Sequence, residues 1–253
     1  MSGHNKWSKI KRQKGLEDAK RGQIYTKLTR EIIMAAREAG GDIESNFKLR
    51  LAIQKARDAS MPKDNIERAI ERGSGGAEGA ILEEITLEGY GPSGTAILAQ
   101  TLSDNRNRTV QEVRNVFTRQ GGTMGSAGCV AWLFDSRGII SIEDGELDPD
   151  ELTLQAIDAG AEDVKVEEGL IEIYTKPTEL ELVKKSLEKQ KISVSNAELS
   201  MIPKNMVEVE DKAAIQTLKL LEKLEDLDDV QKVYSNVDFN DKQIEKFRSG
   251  DYD

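Results

Sequence analysis

A change of hydrophobic period near residue 80 constrains the fold more than any other feature of this sequence. Before it, apolar residues recur at helical spacing. Ile24, Leu28, Ile32 and Ala35 stand four, four and three apart, on one face of a helix that Gly40-Gly41 ends. Leu49, Ala52, Ile53 and Ala56 mark a second helix. Ile66, Ala69 and Ile70 mark a short third one, restarted at Pro62, which a helix tolerates only in its first turn, and closed at Gly73. Three short helices with one apolar stripe each predict a small bundle. Beyond the linker Ser74-Gly75-Gly76, LEEITLEGY and TAILAQTL alternate or run apolar as strands do, joined by the turn GPSG.

One later stretch reads as complete in itself. The strand GIISIE leads to a helix opened by Asp148-Pro149-Asp150-Glu151, with proline at the first helical position. Strands near Val164–Val166 and Leu170–Tyr174 form a hairpin around Glu168-Gly169. A helix carrying Leu180, Val183 and Leu187 and a strand near Ala197–Met201 complete a β-α-β-β-α-β, ferredoxin-like order. Around this unit, Thr109 and Glu112 form a capping box for a helix through Val113 and Phe117, stopped by Gly121-Gly122. CVAWLF reads as a third strand, with Trp132 and Cys129 in the core. Residues 205–237 add a helix (Ala214, Leu218, Leu221, Leu224) and a strand around Val230–Val237.

The expected class is α+β: an N-terminal three-helix bundle followed by two α/β domains, at least one ferredoxin-like. The expected organisation is a basic flexible arm over 1–23, the bundle and linker over 24–79, an α/β domain from 80–135 plus 204–240, an inserted ferredoxin-like domain over 136–203, and a frayed polar tail over 241–253.

Charge is segregated along the chain. Residues 1–30 carry nine Lys and Arg against two acids, net +7; residues 31–73 balance; the whole is −10, which leaves −17 for residues 74–253. The cations Lys6, Lys9, Lys11, Arg12, Lys14, Lys20 and Arg21 share the first stretch with Trp7 and with His4, the only histidine. Cations interleaved with a flat aromatic suit a phosphate backbone and an exposed base. The competing reading folds the arm onto the acidic body. The body repels polyanions, so nucleic acid does not wrap the whole molecule.

Other motifs carry less. Gly89-Tyr90-Gly91-Pro92-Ser93-Gly94 matches G-x-G-x-x-G, but a strand follows and Pro92 removes a donor, so it is a hairpin turn rather than a dinucleotide site. Arg106 and Arg108 sit in a polar strand-to-helix loop, either as phosphate contacts or as parts of a well-capped loop. One histidine on an arm without fixed partners does not support acid–base catalysis, so no enzyme activity, catalytic residue, cofactor or metal is expected. A single cysteine excludes an internal disulfide and fits a reducing cytoplasm. No apolar run reaches the roughly 18 residues of a membrane span.

The runs SGHNKWSKIK, AKRGQIYTKLTREI and LRLAIQKARDASMPKDNIERAIERG closely resemble the YebC family, and LEGYGPSG, SDNRNRTVQEVR and GCVAWLFDSRG continue the match. Asn5, Tyr25, Ile43 and Cys129 depart from the common Ser, Phe, Pro and Ser, and none of these removes a charge from the arm. The resemblance implies a three-domain fold, cytoplasmic in bacteria, and two functions. The family is described as DNA-binding transcriptional regulators; relatives, including a mitochondrial translational activator of cytochrome c oxidase, point to the ribosome, where bacterial members assist peptide-bond formation at stalls such as proline runs.

Physical chemistry favours the second. DNA readers present a rigid helix to the major groove, and the sequence of the bundle displays no obvious turn-helix of that kind. A flexible arm suits irregular RNA, where bases are unstacked. The expected partner is ribosomal RNA or the ribosome, reached through His4, Lys6, Trp7, Lys9, Lys11, Arg12, Lys14, Lys20 and Arg21. Duplex DNA is the alternative, met by the arm together with Lys27 and Arg30. The oligomeric state is not legible.

Overall fold

The computed structural model describes residues 18–75, 82–143, 148–167 and 169–250. Three helices open it: α1 (Asp18–Ala39), α2 (Phe47–Asp58) and α3 (Lys63–Gly73). Leu28, Ile32 and Ala35 of the predicted stripe are buried, as are Leu49, Ala52, Ile53 and Ala56 from α2 and Ile66 and Ala69 from α3. Gly40 takes φ +87°, a left-handed conformation that ends α1 at low cost. Asn46 then joins two helices. Its carbonyl oxygen caps α2 by accepting from Leu49 N at 3.0 Å, while its amide donates to Ala35 O and Gly40 O, each at 2.7 Å. Helix α1 begins at Asp18, inside the stretch assigned to the arm, so residues 18–23 belong to the bundle.

The contacts divide the chain into two compact units, one formed by Phe134–Pro203 and the other by the residues on either side of it. Besides the bundle, the second of these holds a four-stranded sheet. Strands β1 (Glu83–Tyr90) and β2 (Ala96–Ser103) form the predicted hairpin, in a register running from Glu83↔Ser103 to Tyr90↔Ala96. Gly91 N donates to Thr95 O across the turn, and Ser93 and Gly94 both take positive φ. Helix α4 (Arg106–Arg119) follows, then the two-residue strand β3 (Thr123–Met124) beside β1.

After Pro203 the chain returns as α7 (Asp211–Glu225), β8 (Val230–Ser235) and α8 (Asp241–Ser249); labels α5, α6 and β4–β7 belong to the other unit. The sheet order is β3-β1-β2-β8, all antiparallel. Ile85, Ile97, Val113, Phe117, Leu218, Leu221, Val233 and Phe239 meet in one buried cluster.

The other unit is β4 (Phe134–Glu143), α5 (Pro149–Asp158), β5 (Asp163–Glu167), β6 (Leu170–Thr175), α6 (Leu180–Lys189) and β7 (Asn196–Pro203). Its antiparallel sheet has the order β5-β6-β4-β7, the ferredoxin-like arrangement expected from the element order. Asp148 caps α5 through Asp150 N at 3.0 Å, with Pro149 at the first helical position. Mixed α+β architecture therefore holds throughout.

Three local expectations are corrected. Residues 241–250 are no frayed tail: Asn240 and Gln243 make a reciprocal capping box, and Ile244 and Phe247 are buried in the sheet's core. Helix α4 starts at Arg106 with Asn105 as its cap, so Thr109 lies inside the helix instead of opening it. CVAWLF is not one strand. Ala131–Leu133 form a 3-10 turn, β4 begins at Phe134, and Trp132 is 65% exposed rather than core. Gly128 N, Val130 N and Ala131 N all donate to the Glu88 carboxylate, which turns the start of this stretch into a loop despite its apolar composition.

Candidate nucleic-acid interface

Helix α1, which continues directly from the basic arm, is pinned along one side to the α7–β8 loop. Gln23 Nε2 donates to Asp226 O at 2.9 Å, Lys27 Nζ donates to Glu225 O, and the Arg30 guanidinium donates to Asp228 O. Arg30 also pairs with Asp229 Oδ1 at 2.9 Å.

Asp229 is the hub of this contact, with a side chain only 3% exposed. Its Oδ2 accepts from Ser103 Oγ at 3.0 Å, from Arg108 Nη2 at 2.8 Å and from Thr109 Oγ1. Burial alone would push its carboxyl upward. The hydrogen bonds from Arg108, Thr109 and Ser103, with the charge of Arg30, outweigh burial and hold it below the usual carboxylate range. Arg108 is in turn held more firmly protonated by Asp229 and by Asp104, which it meets at 2.7 Å. Between these groups lies an open cleft of about 370 Å³, lined by Gln23, Arg30, Arg108, Glu112 and Asp226–Asp229.

The sequence-predicted cations separate into two groups. Lys27, Arg30 and Arg108 face chain carbonyls and carboxylates in this clamp, and Arg106 pairs with Glu83 at 2.7 Å. Lys20 and Arg21 lie in the first turns of α1. His4, Lys6, Trp7, Lys9, Lys11, Arg12 and Lys14 lie outside the described residues. Sequence reasoning passed over Asp229 because LEDLDDV offers several acids and no local sign of which is buried.

The bundle also departs from its expected form. Four residues, Ala59–Pro62, separate α2 from α3, the spacing of a helix-turn-helix. The exposed side of α3 nevertheless balances Lys63, Arg68 and Arg72 against Asp64, Glu67 and Glu71, and Lys63 pairs with Glu67 at 3.3 Å. A helix entering a groove flanked by phosphates gains nothing from three carboxylates.

A second built feature sits at the far end of β1. Glu88, 5% exposed, accepts from Gly128 N at 2.6 Å and from Val130 N and Ala131 N at 2.7 Å each. Burial raises its pKa, but the three backbone N–H groups prevail and lower it. One carboxylate thus fixes the loop that carries Cys129 and Trp132. Burial and the charge of Glu88 push the Cys129 thiol upward, which keeps it a poor nucleophile.

Among the described residues, no three His, Cys, Asp or Glu side chains converge as a metal site, and no helix is long and apolar enough to cross a membrane. Comparison with known proteins matches residues 5–76 to the TACO1/YebC protein N-terminal domain and residues 82–237 to the TACO1/YebC second and third domain. The chain belongs to the TACO1/YebC family. It is 55% identical to a probable transcriptional regulatory protein of Dehalococcoides mccartyi over 98% of this chain and 99% of that one. It is 53% identical to one of Trichlorobacter lovleyi over 97% and 99%. Among solved structures, a conserved hypothetical protein from Aquifex aeolicus superposes with a TM-score of 0.81 at 45% identity, covering 88% of this chain and 93% of that one. The TACO1/YebC fold thus extends over both units.

Proposed function

We propose that this TACO1/YebC protein is a cytoplasmic, ribosome-associated RNA-binding factor that relieves stalled translation and performs no catalysis itself. The observation that carries the reading is charge segregation: net +7 over residues 1–30 of a chain that is −10 overall, with Trp7 and His4 among the cations. The clamp around Asp229 supports it, because Lys27 and Arg30 are spent on holding α1. The cations assigned to phosphate are those of the basic N-terminal sequence: Lys6, Lys9, Lys11, Arg12, Lys14, Lys20 and Arg21. Closely spaced cations with a tryptophan suit folded RNA, with its unstacked bases, better than a duplex groove. The ordering of this basic segment shapes a catalytic centre made of RNA, which leaves the acidic domains at the periphery.

The second reading, a DNA-binding transcriptional regulator, is favoured by the names of the relatives and by the four-residue turn between α2 and α3. The two readings separate in cells. On the first, the protein co-sediments with large ribosomal subunits, and deletion of residues 1–14 abolishes this. Cross-linking that recovers promoter DNA and no ribosomal RNA would overturn it in favour of the second. A transcription factor also prefers its own duplex to random DNA by about 10³-fold or more.

A further inference from the structure

Among the described residues, Trp132 and Tyr90 are exposed aromatic side chains, at 65% and 41%. Both are tethered to one atom. Trp132 Nε1 and Tyr90 Oη each donate to Cys129 O at 3.1 Å. The N–H of Trp132 and the O–H of Tyr90 are therefore already engaged, and what each chiefly offers a partner is its aromatic body. The carbonyl that holds them is itself fixed, since the loop is gripped by Glu88 through three backbone N–H groups. Tyr90 is held from its other side by the β1–β3 pairing, Tyr90↔Thr123. Two aromatic rings in a preset arrangement lose little entropy on binding.

The electrostatics of the same segment choose the partner. Residues 113–134 contain no Asp or Glu, the longest such run in a chain with 46 of them, and Tyr90 lies in another acid-free run over 89–103. Glu88, the carboxylate beside them, is buried and saturated by backbone donors. The only charged residues in the longer run are Arg114 and Arg119, both exposed. In a body otherwise strongly acidic, the aromatic pair thus lies in the stretches of sequence poorest in carboxylates. A protein partner recognised by an aromatic anchor requires no such clearance of negative charge.

The geometry points to Trp132 and Tyr90 as a stacking platform for an unpaired nucleobase, a second RNA contact separate in sequence from the basic arm. This rests on the RNA-binding reading and adds a site to it. Stacking on an aromatic face is tolerant of base identity, so the platform supplies affinity and position rather than sequence choice.

The test uses the full chain with Trp7→Phe, which leaves Trp132 as the only tryptophan. A single-stranded 12-nucleotide uridine RNA is titrated against it while tryptophan emission and RNA anisotropy are both read. The expected result is quenching of emission in step with binding. In the same background, Trp132→Ala weakens binding roughly 5- to 150-fold, while Trp132→Phe, which keeps a stacking face, recovers most of the loss. If RNA binds by anisotropy while Trp132 emission and the affinity of Trp132→Ala stay unchanged, the platform is refuted and the RNA reading stands. If only duplex DNA binds and emission is again silent, both fall. A photoreactive benzoyl-phenylalanine at position 132 provides the cellular counterpart: adducts with RNA support the site, and adducts with protein alone overturn it.

Discussion

Arg30 of the first helix and Asp229, just before the last strand of the sheet, stand 2.9 Å apart, an ion pair that joins the bundle to the α/β domain. It is the centre of a network in which Ser103, Arg108 and Thr109 satisfy the second carboxylate oxygen. Replacing Asp229 with Asn removes the charge that Arg30 and Arg108 share and leaves Arg108 only Asp104. Losing one partner of a fully buried pair costs roughly 3–5 kcal/mol; Arg30 and Arg108 retain some solvent, so we expect about 2–3 kcal/mol. Denaturant unfolding of the Asp229→Asn variant measures this. Arg30→Met should show part of the same loss, and the double variant less than the sum.

The same carboxylate sets a pH dependence. Its pKa is lower in the folded protein than the usual unfolded value of about 3.9, so the folded state favours the ionised form. Its contribution is present in full above about pH 5 and is lost as pH falls through the unfolded and then the folded value. Thermal unfolding of the wild type should therefore weaken steeply below about pH 4, and Asp229→Asn should flatten that limb. Glu88 has the same sign and accounts for some of the residual slope.

A third expectation contrasts two aromatic residues. Phe117 is fully buried among Ile85, Ile97 and Leu218, and Trp132 is largely exposed. Phe117→Ala should cost about 3–5 kcal/mol. Trp132→Ala should stay near 0.5 kcal/mol, as exposed substitutions do. Equal losses would mean that Trp132 is a core residue after all.

Gly73 tests helix packing. A β-carbon there would stand 2.5 Å from Ile33 O and 2.6 Å from Ala36 Cβ, backbone and a short side chain that cannot swing aside. Gly73→Ala should destabilise the bundle by about 1–3 kcal/mol, even though alanine is the better helix former. Hydrogen exchange in α1 and α3 would report the loosening.

Much of this fold was legible because its local signals agree with one another. The stripes from Leu28 to Ala69, the hairpin at GPSG and the β-α-β-β-α-β order each combine a period with a matching breaker. The failures have a common physical source. CVAWLF has a strand's composition, but the buried carboxylate of Glu88, some forty residues earlier, captures the backbone N–H groups of Gly128, Val130 and Ala131 and bends that loop into a turn. Asn240 is polar, yet its reciprocal bonds with Gln243 start a helix that delivers Phe247 to the core. Asp229 is likewise defined by partners distant in sequence. Periodicity reports what one element does alone; these positions are set by a side chain arriving from elsewhere.

The arm offers the last test, read on single-stranded RNA. Every phosphate neutralised by a lysine or arginine releases counterions, so binding weakens as salt rises, with a slope near −0.7 per contact for single strands. Lys6, Lys9, Lys11, Arg12 and Lys14 together would give a slope of roughly −3.5. Changing Lys9, Lys11 and Arg12 to Ala should reduce its magnitude by about 2. Trp132→Ala should lower affinity and leave the slope alone, because stacking releases no counterions. Fluorescence anisotropy between about 50 and 200 mM salt resolves the two effects. A triple variant with unchanged slope and affinity would show that the arm is not the contact, whatever the −17 body does to keep nucleic acid at its edge.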